Sequence, residues 1–143
     1  MRISAKAEYA CLAMLELTLR RERQDPLRIA DIAERNQIPD RFLVQILLVL
    51  KGAGYVQSVR GAAGGYVLSV DPELVSLWDV IQLIDGSRPI GTLEDAVRKG
   101  SGWEVLHNVW QTVNRREESE LKQTTFLRLA EMSADQGSDM YYI

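Results

Sequence analysis

A mainly helical fold with one small β-hairpin is what this 143-residue sequence predicts. Three observations carry that expectation. Two short stretches with helical apolar spacing, around residues 29–33 and 39–50, are joined by a tight turn. Two short runs rich in β-branched and aromatic residues flank the segment Arg60-Gly61-Ala62-Ala63-Gly64-Gly65. A long amphipathic stretch further on carries Trp103 and Trp110. A helix-turn-helix followed by a hairpin with an Arg/Gly tip is a winged helix-turn-helix, here with a long dimerisation helix appended.

The elements follow in order. Residues 4–20 read as a first helix, with Ala10, Leu12, Ala13, Leu15, Leu17 and Leu19 as a broad apolar face and Ser4 as N-cap. Residues 21–26 are charged and break at Pro26. In the second helix Ile29, Ile32 and Ala33 share one face. Residues 36–39 form a turn, and Pro39 suits the first position of a third helix, where its missing N–H costs nothing. Phe42, Leu43, Ile46, Leu47 and Leu50 are that helix's apolar face, and Gly52 and Gly54 end it. Tyr55, Val56, Ser58 and Val59 read as the outgoing strand and Tyr66, Val67, Leu68 and Val70 as the returning one. The loop between them asks for glycine's positive φ and bare backbone.

A fourth helix is expected over residues 72–85, with Leu74, Leu77, Val80, Ile81 and Ile84 as its buried stripe and Gly86 as its stop. Residues 87–102 read as a loop with a short helical turn around residues 93–99. The long helix covers residues 103–122, with Trp103, Leu106, Trp110, Val113 and Leu121 along a seam interrupted by Glu117. A short last helix over residues 125–132 carries Phe126, Leu127 and Leu129, and the tail from Ser133 is expected to be poorly ordered. The chain thus divides into a winged helix-turn-helix DNA-binding domain (1–86), a loop (87–102) and a dimerisation helix with a short helix and flexible tail (103–143).

Hydrophobic residues make up 46% and charged residues 26% of the chain, which describes one globular domain and excludes collagenous and fully disordered readings. No apolar run approaches the roughly 20 residues a membrane helix needs. The first eight residues lack the pattern of a signal peptide, so a cytoplasmic location is the expectation. One cysteine, Cys11, rules out an internal disulfide and an all-cysteine metal site within one chain. The net charge of −3 hides an asymmetry: residues 1–70 hold ten basic and seven acidic side chains, residues 71–143 seven and thirteen. No acid occurs between Asp40 and Asp71, while Arg41, Lys51 and Arg60 lie in that gap, so an anion can approach one surface.

A recognition helix presents its N-terminal residues to base edges in the major groove. With the core face assigned as above, Pro39 leads into a surface of Arg41, Val44, Gln45 and Leu48. Gln45 suits a bidentate contact with adenine, Arg41 a guanine or phosphate, and Val44 a thymine methyl. Arg60 at the wing tip reaches a minor groove or a phosphate, and Gly61, Gly64 and Gly65 let backbone approach the duplex. Lys6, Tyr9 and Lys51 are candidate phosphate contacts, which position without reading sequence. One winged helix buries little DNA, so specific binding asks for two copies. Packing of the tryptophan-bearing helix against itself in a homodimer supplies them, with a pseudo-palindromic double-stranded operator as the matching partner.

Several stretches resemble the Rrf-two family of bacterial regulators. They are the segments Arg2–Ala10 and Ile29–Glu34, the pair Ile38-Pro39, Phe42–Leu47, the wing Val59–Leu68, and Leu77–Ile81 through Ile84-Asp85-Gly86. The resemblance covers nearly the whole chain and is strongest over residues 1–86. It implies a homodimeric winged-helix transcription factor, most often a repressor. Cluster-binding members carry three cysteines in the loop before the long helix; residues 87–106 here carry none. His107 stands near where some members place a histidine ligand, and alone it cannot hold an iron–sulfur cluster. Because a few relatives use non-cysteine ligands, the resemblance leaves Glu8, Cys11 and His107 as candidates for an unusual site, but Cys11, mid-helix beside the apolar face, reads as a buried structural thiol. The expectation is therefore a regulator with no cofactor and no metal, sensing through a regulatory protein, a small ligand or a thiol switch at Cys11. An alternative is a winged-helix module that binds a metabolic enzyme. An enzyme is not expected: the chain has a single histidine, no nucleophile–base pair and no phosphate loop.

Overall fold

The structure is a computed structural model that describes residues 1–23, 25–87, 89–91 and 100–141, with side chains described as far as Gly137. Among the described residues, six α-helices and one hairpin follow in the order α1 (Ala5–Leu19), α2 (Ile29–Asn36), α3 (Asp40–Gly52), β1 (Val56–Val59), β2 (Gly65–Leu68), α4 (Leu77–Asp85), α5 (Ser101–Gln123) and α6 (Phe126–Tyr141). The mainly helical winged helix-turn-helix is thus observed. The short turn expected around residues 93–99 lies outside the described residues.

Ser4 caps α1 as its sequence position implies, its hydroxyl accepting from the Ala7 N–H at 3.0 Å. The same residue is held by Asp85, whose carboxylate accepts from the Ser4 N–H at 2.9 Å and from its hydroxyl. The end of α4 is therefore pinned to the start of α1. The buried face of α1 is Ala7, Ala10, Met14, Leu17 and Thr18, flanked by Ala13. Leu12 and Leu19, expected in the apolar face, are exposed. The helix is apolar around most of its circumference, so spacing alone does not choose the face. Thr18 enters the core because its hydroxyl donates to the Met14 carbonyl at 2.7 Å.

Gln37 closes α2 in the left-handed conformation (φ 54°), and the Ile38 N–H donates to the Ala33 carbonyl at 2.9 Å. This is the tight turn of the helix-turn-helix. Pro39 is the N-cap of α3 rather than its first helical residue, and the helix begins at Asp40. Leu43, Ile46, Leu47 and Leu50 point inward to meet Met14, Ile32, Val56 and Val80 in one core. The wing is antiparallel, with Val56 opposite Leu68, Gln57 opposite Val67, Ser58 opposite Tyr66 and Val59 opposite Gly65.

Two expected elements are corrected. Residues 72–74 do not begin the fourth helix but form a short 3-10 turn capped by Asp71, and the chain then extends through Val75 (φ −121°, ψ 123°). Leu74, expected in the buried stripe, is 74% exposed, and Val75 is buried instead. The cause is a pairing with the far end of the chain: the Phe126 N–H donates to the Val75 carbonyl at 3.0 Å and the Leu77 N–H to the Thr124 carbonyl at 2.9 Å. α4 then starts under a capping box in which Ser76 and Asp79 satisfy each other's backbone N–H groups.

The last helix is likewise longer than expected. It runs to Tyr141 rather than ending near Met132. Its first turns are anchored by Phe126 and Ala130, both buried, and no proline follows. Gly137 costs a helix interior only about 1 kcal/mol and removes no hydrogen bond. Phe126, placed by sequence in the rear segment, is fully buried in the core of the winged helix.

Candidate nucleic-acid interface

The turn at Gln37 sets α3 so that its inner face is committed to the core and its outer face is free. Arg41, Val44, Gln45 and Leu48 are all exposed, Leu48 at 58%. Exposed apolar side chains among polar ones on a helix are suited to thymine methyls. Pro39 stands exposed at the helix entrance. The Arg41 guanidinium lies 4.9 Å above the Phe42 ring, which in turn meets Tyr9 with centroids 6.1 Å apart. Tyr9 thus braces the start of the helix, and Lys6 is half-buried one turn earlier on α1. Lys51 is exposed and its Nζ donates to the Ser58 hydroxyl at 2.9 Å, tying the end of α3 to the wing.

Arg60 is exposed at the wing tip beside Gly61. The wing glycines have reasons inside the protein. A Cβ on Gly64 would stand 2.2 Å from the Val59 carbonyl oxygen, and one on Gly65 (φ 154°) 2.3 Å from that of Leu27. Gly61 has a φ of 111° and open space around it, so only its conformation calls for glycine. The wing is closed by the Gly64 N–H donating to the Gly61 carbonyl at 3.0 Å.

One contributor was missed by the sequence reading. Arg28, just before α2, donates from Nη2 to the Ala62 carbonyl at 2.6 Å and so holds the wing tip to the helix-turn-helix. Nothing local marks it, because the partner is 34 residues away.

The residues expected to dimerise fall into different surroundings. Leu106 is exposed, and Trp103, Trp110, Val113 and Leu121 are half-buried. Trp103 stacks on His107 with centroids 4.6 Å apart. Trp110 covers Gly91, where a Cβ would stand 2.6 Å from the indole. Beside it Asn114 accepts from the Ile90 N–H and donates to the Ile90 carbonyl, both at 2.9 Å. Leu121 lines a shallow apolar groove with Ile3, Leu12, Leu15, Leu77 and Ile81, of about 380 Å³.

A helix-turn-helix with an outward-facing third helix, a basic wing tip and a shared acid-free stretch defines the winged-helix class of DNA-binding transcriptional regulators. Comparison with known proteins narrows the class. A family model described as Rrf2, an iron-dependent transcriptional regulator, matches residues 3–132. The regulator CymR of Bacillus subtilis is 31% identical over 145 residues, covering all of both chains. IscR of Vibrio cholerae is 36% identical over 117 residues, covering 81% of this chain and 67% of its own. Among solved structures, CymR, described as the global cysteine regulator of B. subtilis, superposes with a TM-score of 0.75 at 32% identity, over 92% of this chain and 98% of that one. IscR of T. potens gives 0.75 at 30% identity, over 93% and 88%. The chain belongs to the Rrf2 family of transcriptional regulators.

Iron in this family raises the question of ligands. Iron–sulfur clusters are held chiefly by cysteine thiolates, and the one cysteine here sits on α1. Burial, reinforced by the carboxylates of Glu8 and Asp85, pushes the Cys11 thiol up to about 12, so it is held protonated. His107 is occupied by Trp103 and by a 3.0 Å hydrogen bond with Gln111. Among the described residues no group of three or more His, Cys, Asp or Glu side chains is placed to hold a metal ion. This donor set does not fit a cluster.

Proposed function

We propose that this protein is a homodimeric, sequence-specific DNA-binding repressor that reads a pseudo-palindromic operator with α3 and the wing and works without an iron–sulfur cluster. The observation that carries the reading is the common exposure of Arg41, Val44, Gln45 and Arg60 on elements that the fold braces together through Lys51 and Arg28. The absence of acids between Asp40 and Asp71 keeps that surface open to phosphate. Dimerisation is supported by α5, on which no residue is buried while Val105, Leu106 and Val109 are exposed. The repressor role and the cytoplasmic setting follow the family. The unsuited donor set supports cluster-free sensing, through a regulatory protein or a small ligand.

The test is binding to DNA upstream of the protein's own gene. Arg41→Ala and Gln45→Ala should each cost about 1–3 kcal/mol and relax specificity at one position. Arg60→Ala should weaken binding and flatten its salt dependence. Unchanged affinity in all three would overturn the docking. Capture of one enzyme, with no operator selected from random DNA, would point to a protein-interaction module.

A further inference from the structure

The wing sheet has one edge that is covered only in part. Tyr66 exchanges both backbone hydrogen bonds with Leu27, at 2.9 and 2.8 Å, on the side of β2 away from β1. Backbone groups along a strand alternate in the edge they face. Val67 pairs with Gln57 across the hairpin, and the Ser69 N–H donates to the Tyr55 carbonyl at 3.0 Å. Leu68 therefore turns its N–H and C=O to the same outer edge as Tyr66. The Leu27–Tyr66 pairing is an isolated bridge, and among the described residues no further bridge continues it to Leu68.

Beyond Leu27 the open edge becomes one wall of a cavity of about 200 Å³. It is lined by the apolar Leu17, Leu27, Tyr66, Val67 and Leu68 together with the basic Arg20 and Arg21 and the acidic Asp25. The guanidiniums keep donors to spare. Arg21 uses Nη1 on the Thr18 carbonyl at 2.7 Å, and Arg20 Nε stands 3.8 Å from Glu16, which Arg35 holds at 3.1 Å. Each guanidinium carries five N–H groups. The volume lies below the range of about 300–1,000 Å³ for drug-sized ligands, which excludes nucleotides and large cofactors.

We propose that this cavity is the effector site and that it takes a free α-amino acid with a small or medium apolar side chain. The carboxylate is matched by Arg20 and Arg21, the ammonium by Asp25, and the side chain by Leu17 and Leu27. The outward N–H and C=O of Leu68 serve either charged end.

The position gives the site its consequence, which rests on the DNA-reading proposal above. Leu27 is the strand partner of the wing and lies against Gly65, and Arg28 is bonded to the wing tip at Ala62. An occupant held by Asp25 and Leu27 acts on the brace that sets Arg60.

Calorimetry with each of the twenty common L-amino acids on the full-length protein tests this. At least one apolar amino acid should bind, while its amine and its acid, each lacking one charged group, should bind at least tenfold more weakly. The pair Arg20→Ala/Arg21→Ala and the single change Asp25→Asn should each lose at least tenfold in amino-acid affinity while keeping the wild-type circular dichroism spectrum. Operator affinity should change at least threefold when the binder is added. No binding at millimolar concentration, or binding indifferent to these variants, would overturn the site. Binding with unchanged operator affinity would overturn its effector role. Amino-acid binding by a protein that recognises no operator would uphold the site and sink the DNA reading, so the two failures are distinguishable.

Discussion

Between Ala7 and Ile81 the chain supplies nearly every fully buried side chain, drawn from α1, α2, α3, β1 and α4 into one core. Along the 23 residues of α5 not one is buried, and Val105 and Val109 are 66% and 50% exposed. The two regions differ in charge as well, basic in balance before residue 71 and acidic after it. The contrast separates a core closed among the described residues of one chain from a helix whose aliphatics are left exposed, the face the proposed dimer would use. Helices draw most of their stability from packing an apolar face. α5 is a helix about 35 Å long whose exposed aliphatics the proposed dimer would cover. The exposed aliphatics of α5 and the shallow groove lined by Ile3 and by Leu12 and Leu15 of α1 are the apolar surfaces available to the proposed two-fold dimer.

The largest effect should come where the rear segment crosses into the front. Phe126→Ala removes a fully buried ring from the core at the point where Val75 and Phe126 pair. It should cost about 3–5 kcal/mol in urea unfolding. A cost under about 1 kcal/mol would mean that α6 is not welded to the winged helix, and the contrast would then divide the chain at Gly86 instead.

Val109→Asp should behave in the opposite way. A charge on an exposed position of α5 should change monomer stability by no more than about 0.5 kcal/mol. It should nevertheless convert the dimer to monomer in sedimentation velocity and abolish tight operator binding. A variant that stays dimeric would remove α5 from the interface and leave its exposed face without its proposed partner.

The same contrast governs how much was legible in the sequence. Elements of the front announce themselves locally: Ser4 caps α1, Pro39 opens α3, and the Arg60–Gly65 tip closes the wing. The misread start of the fourth helix also had a local signal, since Ser76 and Asp79 have capping-box spacing. Pro72 masked it by offering an earlier start. What was not legible depends on distant partners. Gly65 is forced by the Leu27 carbonyl, Arg28 acts on Ala62, and Val75 is buried only because residues 124–126 return to it. The exposed face of α3, Arg41, Val44, Gln45 and Leu48, could be read in advance because the helix's inner face was unambiguous. The seam of α5 could not, because Trp110 and Asn114 are turned to residues 90–91 of their own chain.

Cys11 should give the smallest effect, and it tests whether the front is purely structural. Cys11 is half-buried and lines the groove beside α1, but a sensor thiol also needs a lowered pKa, whereas partial burial and the neighbouring carboxylates raise this one to about 12. At pH 7.5 Cys11→Ser should therefore leave operator affinity and its response to peroxide unchanged, and the native thiol should react with disulfide reagents far more slowly than free cysteine. The raised value also fixes a sign. Below the ordinary value of 9.0 the thiol is protonated whether the chain is folded or not, so it adds no pH dependence. Between 9.0 and about 12 the unfolded chain binds fewer protons than the folded one, so stability falls as pH rises. Urea unfolding of wild type against Cys11→Ser from pH 8 to 10.5 isolates that slope, since the other titrating groups are common to both. Wild type should lose stability faster above pH 9; parallel curves would mean the thiol is not held protonated, and a thiol switch on α1 would come back into play.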